Sequence, residues 1–151
     1  MGDGDELDYY KRLTKELNLE DYVYMYGNKI GKELDEVYDI CDIGLDALAR
    51  HRSGIYYNSS LKGKEYAAKG IPIISGVETE LDSKYDFRFY MRVPADDSEL
   101  NIYDIIDFYK KIYQTEKDII EINKEIRKFA RNNFDIQKCM KPVVEYIQLE
   151  K

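Results

Sequence analysis

Arg50, Arg52, Lys62, Lys64 and Lys69 fall between Ala47 and Gly70 against a single acidic side chain, Glu65. That is a local charge of +4 in a chain whose net charge is −7, so the remaining residues carry −11. Local positive charge in an acidic protein suits a small anionic ligand, whereas a polyanion would meet repulsion from the rest of the chain; no nucleic acid is expected as partner. The cluster coincides with a helix start: Ser59 and Ser60 precede "LKGKEYAAK", and Gly70 follows it. A helix whose first turn lies at 59–61 presents unpaired N–H groups and the positive end of its dipole. With Ser59, Ser60, Leu61, Lys62, Arg50 and Arg52 this makes a seat for a diphosphate. The serines are also good N-caps, and capping alone accounts for them equally well.

Other reactive side chains are sparse. His51 is the single histidine; it lies in a loop with no visible partner and reads as a phosphate or sugar contact, not a catalytic base. Cys41 and Cys139 are far apart and share no metal-ligand spacing with it, so they read as reduced, partly buried thiols of a cytoplasmic protein. No protein-bound metal and no covalent cofactor are expected. Asp96 and Asp97 follow Pro94 in a polar stretch and read as solvated.

The elements that must position these residues alternate. Leu7, Tyr10, Leu13, Thr14 and Leu17 recur at helical spacing. "DYVYMYG" (21–27) is β-rich, with a strand expected at 23–26. "GKELDEVYDIC" (31–41) places Leu34, Val37, Tyr38 and Cys41 on one helical face. Further strands are expected at 43–48, 71–75 and 88–93, with a helix at 60–69 between the first two. The run "IPIISG" is of the type buried on both faces of a parallel sheet. After Pro94 the chain reads as helical nearly to its end, with breaks near Thr115 and Asn133 and Pro142 inside or at the start of the last helix. The class is therefore α/β with a parallel sheet, an α/β core over 1–94 and a helical closing segment over 95–151. At 151 residues the simplest organisation is one domain. No apolar run approaches the length of a membrane span.

In order, the "GDG" that opens a helix, a strand ending in Tyr-Gly, "DIGL", and "LKGKEYAAKGIPIISG" resemble the C-terminal, donor-binding domain of retaining GT-B glycosyltransferases of the large group-one family. Residues matching the family's donor-helix segment are Lys62, Glu65, Tyr66, Ala68, Gly70 and Pro72. "YMRVPADDSEL" and "RKFARNNFDIQKCMKPVVEYI" are similar to its closing strand, loop and helical arm.

The resemblance implies a Rossmann-like sheet, here without its first strands, a nucleoside diphosphate sugar as donor, and transfer of the sugar to an acceptor hydroxyl with retention. It makes Glu65 the ribose ligand; the alternative is a surface pair with Lys69. Asn28, Lys29 and Ile30 match the loop that holds the base, though a plain strand-to-helix turn accounts for them too. The family's second glutamate falls at Tyr57, so sugar-side contacts from Tyr57, Asn58 or His51 leave the sugar unspecified. The acceptor domain is expected outside this chain, the chain alone is expected to be inactive, and a homodimer through an exposed sheet edge is one way to cover the missing strands. The full enzyme is expected in the cytoplasm or at the inner face of its membrane. A non-catalytic flavodoxin-like signalling or scaffold domain, or half of a GT-B-fold epimerase, remain as alternatives.

Overall fold

A computed structural model describes residues 2–85 and 87–149. The chain forms two compact units, the first running to Ile40 and the second beginning at Cys41.

In the first unit, α1 (Leu7–Glu16) carries the expected apolar spacing but buries none of its residues. Asn18 (φ 54) and a backbone bond from Leu19 to Thr14 close it. The 23–26 segment takes no regular secondary structure and enters no ladder among the described residues, which corrects the strand expected there. Its β-forming side chains favour an extended backbone, yet a strand exists only where a neighbour accepts its hydrogen bonds. Tyr22 and Tyr24 stand well exposed. α2 (Gly31–Tyr38) stops three residues short of the expected end, with Asp39 as its C-cap.

The second unit holds the sheet. β1 (Gly44–Leu45), β2 (Ile73–Ser75) and β3 (Tyr90–Arg92) lie parallel in the order β1-β2-β3, with Gly44 opposite Ile73 and Ile73 opposite Tyr90. Backbone bonds from Asp46 to Ile74 and from Gly76 to Ala47 continue the first pairing past the two-residue strand. β2 is buried throughout, as its unbroken apolar run requires. Between β1 and β2 runs α3 (Leu61–Lys69), and between β2 and β3 the short α4 (Glu80–Ser83). Because the strands are parallel, a helix that follows β1 must start at the sheet's carboxyl edge and return to the other.

Three helices close the unit: α5 (Ile102–Tyr113), capped by Asn101; α6 (Ile119–Phe134), capped by Asp118; and α7 (Ile136–Leu149), which contains Pro142 and buries none of its described residues. Ala67 of α3 meets Ile122, Ile126 and Ala130 of α6 in one core with Ile73 and Phe89. The Phe87 and Phe129 rings stack at 4.2 Å. Gly70 (φ 86) ends α3, and Arg127 of α6 donates from Nε to the Lys69 carbonyl at 2.9 Å. The fold is thus α/β: a small parallel sheet flanked by helices, with a C-terminal helix. Neither Cys41 nor Cys139 forms a disulfide, and both are exposed where partly buried thiols were expected. No described helix is long and apolar enough to cross a membrane.

Candidate functional site

The carboxyl edge of the sheet in the second unit gathers most of the polar side chains singled out above. Ser60 is the N-cap of α3; its Oγ accepts from the Gly63 amide at 3.2 Å and donates to Asp46 Oδ1 at 2.9 Å. Asp46 directly follows β1, and its side chain is 2% exposed. Ser75, at the end of β2, donates to its Oδ2 at 3.5 Å, and Lys62 Nζ stands 3.9 Å from Oδ1. A protein carboxylate therefore already occupies the start of α3, where the dipole and the free N–H groups favour negative charge. Among the described residues the Leu61 and Lys62 amides have no acceptor, and Leu61 is 82% exposed.

Beside this group, Ser59 donates to Glu80 Oε1 at 2.8 Å, and Lys64 Nζ lies 3.0 Å from the same oxygen. Lys64 also stands over the Phe134 ring at 5.6 Å. Burial alone would raise the Glu80 carboxyl, but its own backbone amide, the Lys64 ammonium and the Ser59 hydroxyl outweigh it and hold the group below its ordinary value. The other Glu80 oxygen is buried without a partner among the described residues.

Arg50, His51 and Arg52 form a 3-10 turn, Arg50–Ser53, ended by Gly54 (φ 69). Arg52 Nε donates to Asp97 Oδ1 at 2.7 Å, and His51 Nε2 lies 3.0 Å from the same atom. Asp97 is accordingly held below the usual carboxylate range, first by Arg52 and then by His51. Asp97 is exposed, as expected, and is in addition a counter-ion to this turn, so His51 does have a partner. Its ring is 11% exposed, with Nδ1 buried and unpartnered among the described residues. Arg50 is exposed and makes no ion pair among them.

The basic cluster is real, but much of it is neutralised from outside its own segment. Lys62, Lys64 and Arg52 face Asp46, Glu80 and Asp97 respectively. Ser59, Ser60 and Lys62 come together at the start of α3, with Tyr57 and Asn58 just before it, where Tyr57 forms a parallel bridge to Glu78. His51 and Arg52 make a separate group around Asp97, and Arg50 begins the same turn without contacting that carboxylate. Glu65 is exposed on a groove of about 490 Å³ along α6, with Arg127, Arg131 and Phe134. Asn28, Lys29 and Ile30 belong to the first unit; Lys29 pairs with Glu33 at 3.3 Å, and Ile30 is exposed.

Sequence reasoning missed Asp46, Glu80, Glu78 and Arg92. α4 was legible as a capping box, Thr79 followed three residues later by Asp82, and both of its bonds form. Asp46 had a subtler signal, a carboxylate directly after a strand and shortly before two serines. Arg92 Nη1 pairs with Glu78 at 3.1 Å and Asp82 at 3.3 Å. Among the described residues, no His, Cys, Asp and Glu side chains gather in a group able to hold a metal ion. No protein-family model, curated protein or solved structure matches the chain.

Proposed function

We propose that this chain is the donor-binding part of a retaining GT-B-type glycosyltransferase. Its sheet then belongs to a Rossmann-like domain that takes a nucleoside diphosphate sugar and works with an acceptor-binding domain. The observation that carries the reading is the start of α3 at the carboxyl edge of a parallel sheet, with two amides lacking acceptors and Lys62 beside them. In open α/β sheets ligands bind beyond the carboxyl ends of the strands. There the helix-end N–H groups and Lys62 stabilise the negative charge that develops on the departing diphosphate as its bond to the sugar breaks, without a proton transfer. Asp46 shares that seat, so binding requires Lys62 to exchange Asp46 for phosphate, and the affinity of this chain is weak, in the micromolar to millimolar range.

Titration calorimetry with UDP, GDP and ADP tests this. One of the three binds, Lys62→Ala weakens it, and Glu65→Ala weakens it by about 1–3 kcal/mol if that carboxylate holds the ribose. Absence of heat with all three nucleotides removes the reading. The internal pairing of Lys62, Lys64 and Arg52 favours one competitor, a non-catalytic flavodoxin-like domain with an acid at its strand end; that reading gains if acetyl phosphate with magnesium stabilises the chain and nucleotides do not.

A further inference from the structure

α7 is the least covered helix of the second unit: every residue from Ile136 to Leu149 is exposed. Its apolar side chains are nevertheless ordered. Ile136, Met140, Val143 and Ile147 follow one another at intervals of four, three and four, the spacing of a coiled-coil seam. They stand between 44% and 70% exposed. At 3.6 residues per turn these four fall within an arc of roughly 60°, with Cys139 and Val144 on its two flanks. Lys138, Lys141 and Glu145 fall on the other side of the helix. There Lys141 pairs with Glu145 at 3.6 Å, and Lys138 donates to the Asn132 carbonyl at 3.3 Å. Pro142 lies outside the seam as well, so the carbonyl that loses its helical bond to it, that of Lys138, belongs to the wet face.

We infer that α7 is a self-association surface, covered by α7 of a second copy packed antiparallel about a two-fold axis near residues 141 and 142. That register sets Ile136 against Ile147 and Met140 against Val143 in both halves, so the seam is complementary to itself. Gln137, Cys139, Val144 and Tyr146 border it and none is charged, so no like charges oppose each other across the pair. The two helix dipoles run in opposite directions, which also favours it. The unit that bears α7 is nearly neutral, with 18 basic and 19 acidic side chains over 41–151, so two copies approach without strong repulsion. An anionic lipid surface, the other partner an amphipathic helix can meet, is disfavoured. One of the two lysines on the polar face is neutralised by Glu145, and the whole chain carries −7. With about 21 Å of helix in contact the interface falls short of a standard one, so the dimer dissociates in the micromolar range. The inference involves no pairing of sheet edges and does not depend on nucleotide binding.

Sedimentation velocity of the full chain, from low micromolar to near millimolar concentration, tests this. The expected result is a reversible monomer–dimer equilibrium. Val143→Glu, which sets like charges in the seam, weakens it at least roughly tenfold, while Lys138→Gln on the wet face leaves it unchanged. Because Val143 is exposed in the single chain, the amide spectrum of Val143→Glu should otherwise match that of the native protein. The register is read separately. In a Cys41→Ser background, Tyr146→Cys should yield a dimer in glutathione redox buffer, its disulfide joining position 146 of one copy to Cys139 of the other. A chain that stays monomeric at every concentration overturns the inference, as does a dimer that Val143→Glu leaves intact. A dimer that forms no bond between Cys139 and position 146 contradicts the antiparallel packing and overturns it too. Binding of a monomeric chain to vesicles of phosphatidylglycerol and phosphatidylcholine, lost in Val143→Glu, would put a membrane surface in place of the second copy.

Discussion

Ser60 joins the cap of α3 to the acid that sits beneath it, and this makes it the most informative single residue of the second unit. Ser60→Ala removes the acceptor for Gly63 and one donor to Asp46, so urea denaturation should report a loss of about 1–2 kcal/mol, largely restored by Ser60→Thr. An unchanged midpoint would mean that α3 is capped some other way. Glu80 gives a pH signature. Its native acid is stronger than in the unfolded chain, whose ordinary value is 4.5. The stabilisation is therefore complete above that value and is lost as pH falls through the native one, because the unfolded state then binds the proton first. Glu80→Gln should flatten part of the acid limb of the stability curve; other depressed carboxylates, among them Glu125, held down chiefly by Lys117 and also by Arg88, and Asp97, keep part of the slope. A curve unchanged by Glu80→Gln would contradict the Lys64–Ser59–Glu80 contact.

Among the elements, α3 was legible almost to the residue, since Ser60 and Gly70 are both explicit stop and start chemistry. At Gly70 a Cβ would stand 2.8 Å from the Asn123 carbonyl oxygen, and φ is +86. Gly70→Ala should therefore cost about 2 kcal/mol or more by thermal or urea unfolding, through backbone strain and separation of α3 from α6. A cost no larger than that of an ordinary exposed substitution would show that this joint is loose. β2 and the breaks around α6 were equally readable, from an unbroken apolar run and from polar gaps. What failed was the 23–26 strand: tyrosine and valine specify extended backbone, but pairing is decided by a neighbour that local sequence does not name. The partners of the basic residues were hidden for the same reason. Arg52 and Asp97 lie 45 positions apart and meet only because β1 and β3 share a carboxyl edge.

At the scale of the molecule, the cohesive part is the second unit, whose core runs from Ala67 through Ile73 and Phe89 to Ile126. Its carboxyl edge presents the start of α3 with its free amides. This bears the central claim, that the edge accepts a nucleoside diphosphate. The direct measurement is two-dimensional amide NMR of the full chain titrated with UDP, GDP and ADP. The account predicts that one of them produces saturable shifts largest at the Leu61 and Lys62 amides, extending to Ser60 and Asp46 as Lys62 changes partner, and abolished by Lys62→Ala. Titrations that leave those amides unmoved, or that move only residues distant from the start of α3, would contradict it.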